Sequence, residues 1–164
     1  MSYFTKLVAP SLTALTMSAA LAAPGWAHDS VIKVSLWDKG AEAPMATDLG
    51  MGMKGDKAAA TMGLKISKTK VKAGKVTFEV SNTSKDSVHE MVVAAVKGKN
   101  GKLPYIDSES RVDEDHIADL GEVSELEPGK SGSLTLDLKP GKYVLFCNVP
   151  GHYMDGMWTT ITVD

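Results

Sequence analysis

At 164 residues, with 18 basic and 20 acidic side chains and a formal net charge of −2, the chain suffices for one compact domain with a real core and is too short for two. This balance excludes the basic footprint of a nucleic-acid binder and leaves no polybasic patch for a membrane surface. The single cysteine, Cys147, cannot form an internal disulfide, so a disulfide-stapled scaffold is excluded as well.

The first 27 residues, MSYFTKLVAPSLTALTMSAALAAPGWA, carry one early lysine (Lys6), an apolar small-residue run, and small residues before Ala27. That layout predicts a secretory signal peptide over 1–27, cut after Ala27 or, as a second choice, after Ala22. Pro10 and Pro24 bracket an apolar run shorter than the ~20 residues a spanning helix needs, which argues against a membrane anchor. No cysteine follows the run for lipid attachment. The expectation is a soluble, mildly acidic, periplasmic domain over 28–164, with no membrane anchor after cleavage.

Ile32, Val34 and Leu36 alternate with Lys33 and Ser35, the period of a first strand. KGAEAPMATDLGMGMKGDKAAATMG, about 39–63, has no clear periodicity and reads as a Met-rich insertion. LKISKTKV and VTFEV are predicted strands around the turn signal KAGK, and VHEMVVAAV follows the polar loop NTSKDS. DEDHIADLG predicts a short helix with Asp113 as N-cap and Gly121 past its end. SLTLDL, YVLFC and WTTITVD complete about seven strands. The expected fold is therefore an all-β Greek-key β-sandwich with one short helix.

The segment FCNVPGHYMDGMW places Cys147, His152 and Met157 five residues apart in one loop between two strands. A histidine at the head of a neighbouring strand, His89, would complete two imidazoles, a thiolate and a thioether. That is the donor set of a blue-copper site, two His and one Cys with a weak axial Met. Thiolate and thioether favour Cu(I), and imidazole suits both oxidation states. Methionine is a poor zinc ligand, and iron–sulfur or haem attachment needs other cysteine patterns. A buried cysteine or a packed histidine alone is commonly just core; four such residues at these spacings are not. Tyr153 and Met154 lie between the last two ligands, either lining a surface over His152 or packing the loop.

On these residues the chain resembles the cupredoxin family across 28–164. NTSKDSVHEMVV looks like its first-ligand strand and YVLFCNVPGHYMDGMWTTITV like its ligand loop, with C-x4-H-x4-M spacing similar to auracyanin- and rusticyanin-like proteins. The resemblance implies a copper cofactor held by His89, Cys147 and His152, with Met157 axial. Many members place Asn after the first histidine to brace the cysteine loop; here Glu90 stands there, so that brace is absent or replaced.

Met45, Met51, Met53 and Met62, with His28 at the expected mature N-terminus, form a candidate second copper site. The insertion, the HEM strand and RVDEDHI resemble periplasmic copper-tolerance cupredoxins of the CopI type. That resemblance implies a periplasmic protein that binds copper and oxidises Cu(I) to Cu(II). The alternative is a small soluble electron shuttle working with a periplasmic redox partner. His116 reads as a solvated residue, and the acidic run beside it as a solvated face or a dock for a basic partner. With four histidines and no H-x-H motif, a multicopper oxidase is not expected.

Overall fold

The computed structural model describes residues 29–98 and 101–164; the predicted signal peptide, its cleavage point and His28 lie outside them. Eleven strands are formed among the described residues. They are β1 (Ser30–Asp38), β2 (Met62–Ile66), β3 (Lys70–Val71), β4 (Gly74–Asn82), β5 (His89–Ala95), β6 (Tyr105–Ile106), β7 (Arg111–Val112), β8 (Ala118–Leu126), β9 (Ser131–Leu138), β10 (Gly141–Phe146) and β11 (Trp158–Val163). One sheet runs β2-β1-β4-β9, the other β3-β11-β10-β5-β8, and β6 and β7 pair as a small ribbon. β1 pairs parallel to β4, and β3 parallel to β11.

The period-two residues decide which faces meet. Ile32, Val34 and Leu36 of β1, Val76, Phe78 and Val80 of β4, and Met91 and Val93 of β5 fill the space between the sheets, together with Ile161 and Val163 of β11. β5 is a nearly continuous apolar run because its other face is covered too. Val92, Ala94, Val144 and Phe146 pack outward against Met51, Leu103, Val112 and Tyr153. The long connections at 39–61 and at 96–98 and 101–117 thus act as a second layer.

Two sequence expectations need correction. The helix expected over DEDHIADLG is a single 3-10 turn, Glu114–His116. Asp113 makes no capping bond to the backbone; its carboxylate accepts from His116 Nδ1 at 2.8 Å instead. Ala118–Leu126 becomes β8, because β5 offers a ladder edge and Val123 can be buried against the core. Gly121 lies within it at φ 136°, a conformation that glycine tolerates and L side chains rarely adopt. The strand count rises from about seven to eleven for this reason, because LKISKTKV divides into β2 and β3, and because β6 and β7 form as a short ribbon where no strand was expected.

Candidate metal centre

His89 opens β5 and is completely buried. Its Nε2 lies 2.6 Å from Oδ2 of Asp38, the last residue of β1. An ionised carboxylate only accepts, so the proton sits on Nε2 and the Nδ1 lone pair faces the loop. Burial pushes the Asp38 carboxyl up, but hydrogen bonds from Ser84, His89 and the Gly40 amide outweigh it and hold it below its ordinary value.

Cys147 follows β10, and His152 lies in the tight turns beyond it. The Cys147 amide donates to the Met157 carbonyl at 3.0 Å, and the Met157 amide donates to the His152 carbonyl at 3.1 Å. These two bonds draw the loop's ends together. Cys147 and Met157 are both fully buried and belong to one packed cluster. His152 is 9% exposed.

Nδ1 of His152 stands 3.2 Å from Nδ1 of His89 and 3.4 Å from Sγ of Cys147. All three donor atoms lie within 4.8 Å of one another. Ligands at roughly 2.0–2.3 Å from a shared metal, in trigonal or tetrahedral arrangement, stand about 3.3–3.7 Å apart. The donors therefore fit a single ion between them, and the set of two imidazoles and one thiol, with a methionine beside it, fits copper. When bound, copper supplies one-electron redox chemistry; the chain's residues fix what it meets.

Protonation favours loading at the two imidazoles and opposes it at the thiol. Burial, then the proximity of His89, lowers His152 to about 4. Burial also lowers His89, against the pull of Asp38. Both imidazoles are therefore neutral at neutral pH, so neither carries a positive charge that a metal ion would have to displace. Burial pushes the Cys147 thiol up to about 12, although a hydrogen bond from the Glu90 amide works the other way. The thiol keeps its proton until a metal displaces it, so binding releases a proton.

Glu90 replaces the brace. Its amide points at Cys147 Sγ at 3.5 Å, and its carboxylate accepts from the Asn148 amide at 2.9 Å. Burial, followed by repulsion from Glu122, raises that carboxyl to about 7. Asn148 is held in turn by Val112, through both its side-chain oxygen (2.7 Å) and its amide nitrogen (3.0 Å). Its amide nitrogen also reaches Glu114 at 2.7 Å, and Arg111 Nε donates to its carbonyl at 3.0 Å. The RVDEDHI segment thus buttresses the cysteine loop, while His116 stays exposed beside Asp113.

The methionines of the insertion have separate fates. Met62 opens β2 and fills the inner core, and Met51 fills the outer one. Met45 is 44% exposed, with its methyl against Gly151. Met53 and Met154 both bring their sulfurs close to Gly50. The insertion itself is tied to the ligand loop. Buried Asp155 accepts from the Ala46 amide at 2.8 Å and from the Thr61 hydroxyl. The Leu49 amide donates to the Met154 carbonyl at 2.9 Å, the Met51 amide to Tyr153 Oη at 3.0 Å, and Trp158 Nε1 to the Leu49 carbonyl at 2.6 Å. Sequence reasoning missed Asp38 and Asp155. In WDKG and YMDG both read as turn residues, and no spacing marks either as a partner of a distant element.

A two-sheet β-sandwich carrying a buried His–Cys–His set with methionine beside it defines a type 1 copper protein. The chain belongs to the family of copper binding proteins described as the plastocyanin/azurin family, whose pattern matches residues 50–164. Among solved structures it is similar to dithionite-reduced auracyanin from the photosynthetic bacterium Roseiflexus castenholzii, at 22% identity and TM-score 0.51, over 82% of this chain and 96% of that one. It is also similar to rusticyanin from Thiobacillus ferrooxidans, at 18% identity and TM-score 0.53, over 83% and 77% of the two chains. Auracyanin B gives 20% identity and TM-score 0.50, over 87% and 93%. At these identities the likeness speaks for the fold alone. No curated protein sequence matches the chain.

Proposed function

We propose that this chain is a periplasmic copper protein that carries single electrons at its His89–Cys147–His152 centre and serves copper tolerance, converting cuprous to cupric ion. The observation that carries the finer part of this reading is the Met-bearing insertion, bound through Asp155, Leu49 and Trp158 to the loop that supplies three of the four predicted ligands. Oxidation of cuprous cargo would pass one electron to the centre and on to an external acceptor, dioxygen or an oxidised redox protein. A second reading, a shuttle between redox proteins, is favoured by His152. It keeps a 9% exposed edge while His89, Cys147 and Met157 are sealed, so electrons have a short way in and out.

One pair of measurements tests both parts. Cys147→Ser should abolish the intense visible absorption of the cupric form, because that colour arises from thiolate-to-copper charge transfer; colour retained in this variant refutes the centre. Expressed in a copper-sensitive bacterium, the wild-type chain should restore growth at raised copper and Cys147→Ser should not. Equal growth with both refutes the tolerance role and leaves the shuttle.

A further inference from the structure

We propose that Met53 and Met154, with Met45 beside them, form a second metal site that takes Cu(I) on the outer side of the ligand loop. It rests on the reading of the chain as a copper-handling protein, but it uses none of the donors of the buried centre.

The geometry begins at Gly50. The sulfurs of Met53 and Met154 each lie 3.0 Å from the point where a Cβ of residue 50 would stand, as does Cε1 of Tyr153. A side chain there would press on both thioethers; glycine lets them close over bare backbone. Twice that distance is the most that can separate the two sulfurs. Two sulfurs ligating one ion at roughly 2.3 Å stand no more than about 4.6 Å apart, within reach of a small change of methionine rotamer.

Their backbones are fixed. The Met53 amide turns back to the Gly50 carbonyl at 3.0 Å, and the Leu49 amide holds the Met154 carbonyl at 2.9 Å. Both residues also line surface clefts, which separates them from filler. Met51 and Met62 are buried in the two cores, whereas Met53 and Met154 are half-buried. Met154 forms a common wall of two surface clefts, of about 420 and 450 Å³. Met45 lines the first and Met53 the second, and Tyr105 and Asp107 line both.

The donors select the ion. Thioethers are neutral and soft, so they hold Cu(I) in preference to hard or borderline divalent ions. Lys102 shares the Met53 cleft with Asp107, so the two charges offset each other there and sulfur must supply the affinity. This donor set differs from the one predicted from sequence. Met154, from the ligand loop, takes the place of Met51 and Met62, and no histidine takes part.

The test uses the chain loaded with one copper, reduced and anaerobic, with 13C-labelled methionine methyls. A second equivalent of Cu(I) is offered in competition with a Cu(I) chelator. The chain should retain it, shifting the methyl signals of Met53, Met154 and Met45 while those of Met62 and Met91 stay in place. Met53→Leu/Met154→Leu should weaken this second binding at least tenfold and keep the charge-transfer colour on reoxidation. If that double variant does not fold, Met45→Leu and the wild-type methyl shifts decide. No second equivalent retained, shifts confined to other methionines, or undiminished binding in the double variant would each overturn the site. Colour on reoxidation without a second equivalent rejects this site alone; no colour rejects the reading of the buried centre.

Discussion

Replacing Asp155 by alanine removes the clasp between the insertion and the ligand loop. The carboxylate is fully buried and accepts two bonds, one from the Ala46 amide at 2.8 Å and one from the hydroxyl of Thr61, a residue 7% exposed. Hydrogen bonds to a charged group contribute about 1.5–3 kcal/mol each, and a donor left buried without a partner costs about 1–3 kcal/mol. The Thr61 hydroxyl can rotate and the Ala46 amide can reach water, so the lower end applies: a loss of about 3–4 kcal/mol. Set against a total stability of about 5–15 kcal/mol, that is a large fraction. It lowers the melting temperature by roughly 10–15 °C in a domain of this size. Asparagine keeps an oxygen for Ala46 and can donate its amide to the Thr61 oxygen, so Asp155→Asn should lose only about 1 kcal/mol. Urea unfolding of the metal-free proteins, followed by tryptophan fluorescence, reads both, since Trp158 bonds to Leu49 within the same clasp. A loss under 1 kcal/mol for the alanine variant, or an equal loss for both variants, would refute the reasoning.

Asp38→Asn should keep the fold but remove the charge that orients His89, lowering copper affinity roughly 10–100-fold; an unchanged affinity in a competition titration contradicts the role given to Asp38. The pH dependence of metal-free stability should reveal the thiol. Cys147 has an ordinary value of 9.0 and is held at about 12 by burial, so the folded state binds the proton more tightly than the unfolded one. That stabilisation is complete below about pH 9 and is lost progressively as pH rises toward 12. Measured between pH 9 and 11, the stability of the wild type should therefore fall relative to Cys147→Ser, and a constant difference would count against a buried protonated thiol.

The fold and the centre differ in how far they can be read from residues alone. Alternation in β1, β4 and β11 marks their buried faces, and the five-residue steps from Cys147 to Met157 mark a loop that must close on itself. β8 was hidden because most of its exposed residues are acidic or polar, Leu120 is exposed as well, and only Val123 is buried. Such a strand is defined by its neighbour's unpaired edge, which no local pattern records. The second layer was hidden for a similar reason. The run VVAAV signals burial on both faces, but not that residues near 51, 103 and 153 provide the cover. Glu90 could be recognised as a departure, yet its role depends on Asn148, which lies just beyond the end of β10, the strand paired with β5. Asp38 and Asp155 owe their importance to elements about fifty and a hundred residues away.

The double cover of β5 also governs time. Strands sealed on both faces, with ladders on either edge, open to solvent only when the whole domain does, while surface layers lift at lower cost. β5 is such a strand, and it carries His89 and Glu90 at its head. The clasped insertion lies outside the two sheets, with Met45 and Met53 toward its surface and Met51 packed inward. Local opening is therefore expected first at the rim, on the side where the half-buried thioethers lie, with the imidazole and its brace held by the doubly covered strand.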